Sequence, residues 1–296
     1  MILAAIDIGS NAARLLICEV TRIGKDSRVD RLNFLRIPLR LGFDVFEKGL
    51  IGNRRKRMLL ETMEAFAQLI RIHEVDHYIA CATSAMRDAE NAKEIINEIR
   101  QQTGIGIDVI SGELEAEIIY ENHVAEILDP NQSYLYIDVG GGSTELTFYH
   151  RSEVVFQRSF NIGTIRFLTE HLDDSIWQEM KKFLREFGKE YKNVTAIGSG
   201  GNINKLVSLV NGKSSKILSQ QTIRDMHKEL EALSVEERMH RYGLKRDRAD
   251  VIVPALLIYN YIMKWAEIEE IYVPKIGLAD GLIRHLQDQL DSSIKR

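Results

Sequence analysis

Two cysteines and four prolines in 296 residues leave almost nothing to staple or stiffen this chain. Cys18 and Cys81 both fall in apolar, strand-like runs, so they read as reduced core thiols of a cytoplasmic protein and not as a disulfide framework. No segment is low in complexity, so no long disordered linker is expected. No apolar stretch approaches the roughly 18–20 residues of a membrane span. The start lacks the basic residues and the small-residue cleavage site of a signal peptide, and Asp7 and Arg14 interrupt its apolar run. Positive charge is not in surplus: 39 Lys and Arg stand against 43 Asp and Glu, a net charge of −4, with a pI near 6.1. That balance argues against bulk nucleic-acid binding, which needs a basic face. A polyanion would have to be held by a local positive site, by backbone amides or by a metal. The Gly-x-x-x-x-Gly-Lys-Ser/Thr loop, the Gly-x-Ser-x-Gly elbow and zinc-ligand spacing among the eight histidines are all missing.

What is present is a soluble composition, 45% hydrophobic and 28% charged, with a length sufficient for two domains. One motif occurs twice. Ala4-Ala5-Ile6-Asp7-Ile8-Gly9-Ser10-Asn11 precedes the apolar run from Ala13-Arg14 to Ile17. Leu135-Tyr136-Ile137-Asp138-Val139-Gly140-Gly141-Gly142-Ser143-Thr144 precedes Glu145-Leu146-Thr147-Phe148. Each copy reads as a strand ending in Asp, a tight turn and a returning strand. Glycine allows the sharp bend and leaves N–H groups to face an anion, and the Asp at the strand end can hold a cation or a water. Two such hairpins from a duplicated half-chain are expected to face each other across a cleft.

The periodicities support the duplication. Strands are predicted near 2–8, 13–21 and within 28–40, then a helix over 54–73, a buried strand over 78–83, a helix over 89–101, a short strand over 107–110 and a helix over 112–128. The second half opens alike, with strands near 133–139, 144–150 and 153–160. Helices follow near 164–171 and 174–190, then a strand at 194–197 and Gly198-Ser199-Gly200-Gly201 leading into a helix. Helices over 220–232, 235–241 and 248–266, a strand at 270–273 and a helix at 279–290 complete it. This is an α/β chain of two repeated layers. The domains are expected at 1–128 and 129–296, joined near Asp129-Pro130-Asn131, with the last helix packing back on the first domain.

These residues resemble the exopolyphosphatase and guanosine pentaphosphate phosphohydrolase family, within the superfamily of sugar kinases, actin and heat-shock chaperone ATPases. Beyond the two turns, the resemblance rests on Ala82-Thr83-Ser84-Ala85-Met86-Arg87-Asp88-Ala89-Glu90-Asn91, Ile110-Ser111-Gly112-Glu113-Leu114-Glu115-Ala116, Ile197 to Gly201, Asp247 to Ala255, and Gly277-Leu278-Ala279-Asp280-Gly281-Leu282. It implies two ribonuclease H-like domains of the actin and hexokinase type. It also implies phosphate binding by Gly140, Gly141, Gly142, Ser143 and Thr144, with Ser10 and Asn11 doing the same from the first domain. Asp138 and Glu145 would hold a divalent metal, Mg2+, which takes one or two protein carboxylates plus phosphate oxygens. Glu115 would be the general base toward an attacking water. The implied partner is inorganic polyphosphate or guanosine pentaphosphate, with no nucleic acid and no membrane; a homodimer is left open.

The residues alone are less decisive. Glu113, Glu115 and Glu117 all fall in the first turns of a helix, where acidic residues favour the dipole. Arg87 follows a buried strand and is read as a phosphate fork or as an ion pair with Asp88 or Glu90. Arg14 is a further phosphate contact candidate. Gly200, in its turn before a helix, binds a distal phosphate or allows close packing. The runs Arg54-Arg55-Lys56-Arg57 and Lys245-Arg246 with Arg248 are solvated helix starts or steer a polyanion. Two positions depart from the family pattern: Leu114 stands where Glu is usual, removing the partner of a capping box with Ser111, and Glu117 where Arg is usual. They put substrate affinity in question more than reaction type. They also keep open a sensor that binds polyphosphate or the alarmone without turnover.

Overall fold

The computed structural model describes residues 1–23, 26–121, 129, 131–151, 153–169, 173–210, 215–274 and 277–294. Two compact units emerge, Met1–Val124 with Leu278–Arg296, and Ala125–Gly277.

In the first unit β1 (Ile2–Ile8), β2 (Ala13–Ile23), β3 (Asp26–Ile37), β4 (His77–Ala82) and β5 (Asp108–Val109) form a sheet in the order β3-β2-β1-β4-β5. The first three strands pair antiparallel and β4 and β5 run parallel to β1. β1 is buried from Leu3 onward, which is why it reads as an unbroken apolar run. The helices are α1 (Gly42–Lys48), α2 (Asn53–Ile72), α3 (Ser84–Asp88), α4 (Ala92–Thr103) and α5 (Gly112–Glu121). The predicted helix over 112–128 is thus seen to 121, and 122–128 lie outside the described residues, as does Pro130 of the predicted join.

The second sheet has the order β10-β11-β9-β6-β7-β8. It is built from β6 (Ser133–Val139), β7 (Thr144–His150), β8 (Glu153–Phe160), β9 (Val194–Ser199), β10 (Ile217–Ser219) and β11 (Glu270–Tyr272). Read from β8 to β11 it repeats the first sheet strand for strand, in direction as well as order, and β10 adds an antiparallel edge. Each sheet is the ribonuclease H-like arrangement. The helices here are α6 (Arg166–Thr169), α7 (Asp174–Glu190), α8 (Gly201–Val210), α9 (Gln220–Glu231), α10 (Val235–Tyr242), α11 (Arg246–Ala249) and α12 (Ile252–Trp265). Residues 170–171 of the predicted helix over 164–171 lie outside the described residues. The core joins Leu135, Ile137, Leu146 and Phe148 of one sheet face to Phe187 of α7 and Ile258 and Ile262 of α12.

The last helix, α13 (Leu278–Ile294), packs on α5 and β1 of the first unit. A Cβ at Gly281 would lie 2.5 Å from the Ile118 carbonyl oxygen, so the two helices approach as closely as backbones can. Among the described residues no helix is long and apolar enough to cross a membrane.

Candidate active site

Asp7 and Asp138 occupy equivalent strand ends, but their surroundings differ in sign. In the β1–β2 ladder Asp7 stands opposite Arg14, and the guanidinium pairs with the buried carboxylate. In the β6–β7 ladder Asp138 stands opposite Glu145. Residues directly opposite share a sheet face, so two carboxylates, 9% and 2% exposed, lie side by side. The first pair neutralises itself. The second concentrates negative charge and hard oxygen donors, the set that Mg2+ takes. Ser159, on the neighbouring β8, donates its hydroxyl to Glu145 Oε1 at 3.0 Å, which fixes that carboxylate's orientation. Among the described residues no group of three or more His, Cys, Asp or Glu is assembled for a metal.

Gly200 sits against the pair. It takes φ +110°, and a Cβ there would lie 3.0 Å from Val139 O and 3.2 Å from Asp138 Oδ1. Its glycine character therefore serves close packing on Asp138. The buried Tyr259 hydroxyl donates to Ser199 O beside it. Burial, then the Asp138 carboxylate, raise the Tyr259 pKa well above the usual phenol value.

The turn that follows Asp138 is braced from below. Gly140 N–H donates to Ser143 O at 2.9 Å, Thr164 N–H to Gly140 O at 3.0 Å and Ile165 N–H to Gly141 O at 2.8 Å. Arg166 Nε donates to Gly142 O at 2.9 Å. The three glycine carbonyls are thus turned into the protein. The N–H groups of Gly141, Gly142 and Ser143 take no hydrogen bond among the described residues, which leaves them as donors for an anion. Two expectations change here. The Gly140 N–H closes the turn and does not face a ligand. Thr144 is fully buried and its hydroxyl donates to Ile162 O at 2.5 Å, so its proton serves the fold and not a phosphate. Gly163 was not singled out by the sequence. A Cβ there would fall 2.4 Å from Gly142 C and 2.5 Å from Gly141 C, so only glycine lets residues 162–166 lie under the turn. The pair Gly163-Thr164 before an apolar helix start was the available signal.

In the first unit Gly9 N–H donates to Ala12 O, and the carbonyls of Ser10 and Asn11 accept from Gly42 and Arg40. The buried Ser10 hydroxyl shares a 2.7 Å hydrogen bond with Ser84, a residue that the sequence placed in a family block without a role. Arg14, read as a phosphate contact, is engaged with Asp7. Arg87 Nη1 donates to Ile110 O at 2.7 Å.

Burial pushes the Cys81 thiol up to about 12, with Asp108, Asp7 and Glu115 adding to the rise. Cys81 is the cross-strand neighbour of both Asp7 and Asp108, and Glu115 stands in the first turn of α5. The start of α5 is also resolved. Leu114 N–H donates to the Ser111 hydroxyl at 3.2 Å, so the Ser111 cap survives the loss of an acid at 114. Glu113 shares that hydroxyl. A bond from its own N–H, then the Ser111 hydroxyl and the Arg87 charge, hold its carboxyl below the usual range. Leu114 itself points to solvent.

The basic runs are largely spoken for. Arg55 pairs with the buried Asp44 and Lys56 with Glu94 and Glu98 at 2.7 and 2.8 Å. Arg246 pairs with Glu236, and Arg248 donates to Gly201 O at the start of α8.

Comparison with known proteins agrees with this geometry. The family described as Ppx/GppA phosphatase matches residues 25–290. The chain is 25% identical to exopolyphosphatase 1 of Mycobacterium tuberculosis, over 99% of this chain and 90% of that one. It is 27% identical to the guanosine-5'-triphosphate,3'-diphosphate pyrophosphatase of Pseudoalteromonas translucida, over 95% of this chain and 57% of that longer protein. The crystal structure of an exopolyphosphatase from Cytophaga hutchinsonii matches with a TM-score of 0.85 at 26% identity, covering 98% of each chain.

Proposed function

This chain belongs to the Ppx/GppA phosphatase family, and on that premise we propose that it hydrolyses the terminal phosphoanhydride bond of inorganic polyphosphate, releasing orthophosphate. The observation that carries the reading is the braced glycine turn, with the N–H groups of Gly141, Gly142 and Ser143 beside the buried Asp138 and Glu145 pair. Amides fixed in advance stabilise charge on phosphate oxygens without reorganising. Asp138 and Glu145 would hold Mg2+, which supplies Lewis-acid polarisation of a phosphoryl oxygen when bound. Ser10 and Asn11 hold phosphate oxygens at the first turn, and Arg87 supplies a compensating positive charge. Glu115 takes a proton from water as the water oxygen bonds to the terminal phosphorus. The bridging P–O bond breaks and its electron pair leaves with the shortened chain.

The relative from Pseudoalteromonas supports a second reading with the same bond chemistry, removal of the terminal phosphate of guanosine pentaphosphate. Two buried, unpaired thiols fit a cytoplasmic setting. The test is orthophosphate release with Mg2+ from long polyphosphate, short polyphosphate and guanosine pentaphosphate side by side. Release that EDTA abolishes and Glu115→Gln cuts by about 10²–10⁴-fold, with binding retained, supports hydrolysis and ranks the substrates. Binding without release from any of them would make the protein a sensor.

A further inference from the structure

α7 and α12, with Phe167 of α6, line an open groove of about 540 Å³. Trp177, Lys181 and Arg185 line it from α7, spaced four residues apart, and Tyr261, Lys264 and Trp265 line it from α12. Residues four apart share a helix face, so each helix presents one mixed aromatic and basic stripe to the cavity. Tyr261 and Trp265 stack with planes 2° apart and centroids 5.0 Å apart, and Trp177 meets each edge-on at 76°. All three rings are only half-buried. Lys181, Arg185 and Lys264 make no ion pair, hydrogen bond or ring contact among the described residues. Among the described residues Asp174 is the one carboxylate lining the groove, against three cations, in a chain of net charge −4.

Rings alone would serve helix packing, and cations alone would serve solubility. Their convergence on one concavity of ligand size asks for a ligand with a planar aromatic part and an anionic part. We infer that this groove binds a nucleoside phosphate, with the base against the Trp177, Tyr261 and Trp265 rings and the phosphates on Lys181, Arg185 and Lys264. Trp177, Tyr261, Trp265, Lys181, Arg185 and Lys264 have no part in the hydrolysis proposed above.

The chain has two tryptophans and both line this cavity, so indole fluorescence reads it directly. Guanosine diphosphate is expected to quench that emission saturably, excited at the red edge of the indole band. Pyrophosphate and guanosine, each lacking one half of the ligand, are expected to have little effect at equal concentration. Arg185→Gln with Lys264→Gln should weaken guanosine diphosphate binding about tenfold or more, with melting temperature and orthophosphate release from polyphosphate unchanged. Absence of quenching, equal quenching by pyrophosphate, or full quenching in the doubly substituted protein would each overturn the assignment. Because the readout is binding and not turnover, it stands or falls independently of the hydrolase reading.

Discussion

Glu145 stands directly opposite Asp138 across β6 and β7, the place that Arg14 takes opposite Asp7 across β1 and β2. A duplicated hairpin has thus become an acid–base pair in one copy and an acid–acid pair in the other. Like charges set opposite on a sheet repel, and the Mg2+ proposed there would relieve the repulsion.

Substituting Glu145→Gln is therefore expected to stabilise the protein in EDTA by up to about 1 kcal/mol of relieved repulsion, seen as a higher melting temperature. The same change should remove most of the stabilisation by Mg2+, which for a specific site amounts to about 2.7 kcal/mol at a hundredfold excess over Kd. Melting curves with and without Mg2+ measure both effects. An Mg2+ shift as large in the variant as in the parent would rule out Glu145 as a ligand.

Gly163→Ala tests the brace under the turn. Its Cβ would meet the Gly141 and Gly142 backbone at 2.4–2.5 Å, and backbone cannot swing aside as a side chain can. A loss of about 1–3 kcal/mol is expected, and orthophosphate release should fall further than the stability loss accounts for. Activity equal to the parent at a temperature where the variant is fully folded would show that the turn tolerates displacement.

Thr144 and Ser143 separate fold from ligand. Removing the Thr144 hydroxyl in Thr144→Val leaves Ile162 O without its donor and should cost about 1–2 kcal/mol, with KM unchanged. Ser143→Ala removes a hydroxyl proposed to meet phosphate and should raise KM with little change in melting temperature. Steady-state kinetics beside chemical denaturation distinguish the two; a raised KM in Thr144→Val would return that hydroxyl to the ligand.

His227 supplies a pH dependence of stability. Burial lowers its pKa, opposed in part by Glu231, whose carboxylate is 3.9 Å from Nδ1. The unfolded chain therefore binds a proton at higher pH than the folded one. Its contribution is complete above the unfolded value of about 6.5. It is lost as pH falls below that value, and the loss ends once the folded imidazole itself protonates. The difference in stability between the parent and His227→Gln should shrink as pH drops from 7.5 toward 5, roughly spanning that titration. A difference independent of pH would mean that the ring titrates alike in both states.

Much of this architecture was written in local pattern. The runs ending at Asp7 and Asp138 are central strands buried on both faces, so their apolar character is continuous and their ends are sharp. The predicted helix over 248–266 is two pieces, α11 and α12. Pro254 could have marked the break, since it occupies the first turn of α12, where its missing N–H has no helical partner to lose. Short elements such as α1, α3 and β10 carry too few residues for a period to show. The sequence displayed the site residues as types but not their commitments. That Thr144 bonds Ile162, that Arg14 answers Asp7 and that Glu113 shares the Ser111 hydroxyl are consequences of register and packing, which spacing alone does not contain.

The two thiols have a practical consequence. Cys18 and Cys81 are buried, and their pKa values are raised to about 11 and about 12. At neutral pH they are protonated and shielded, and the thiolate is the form that reacts with alkylating reagents. The natural sequence is thus already silent toward maleimide chemistry. One cysteine introduced on the surface of each unit would carry a donor and an acceptor dye, and the separation of the two units could be followed through a catalytic cycle without first removing a native residue.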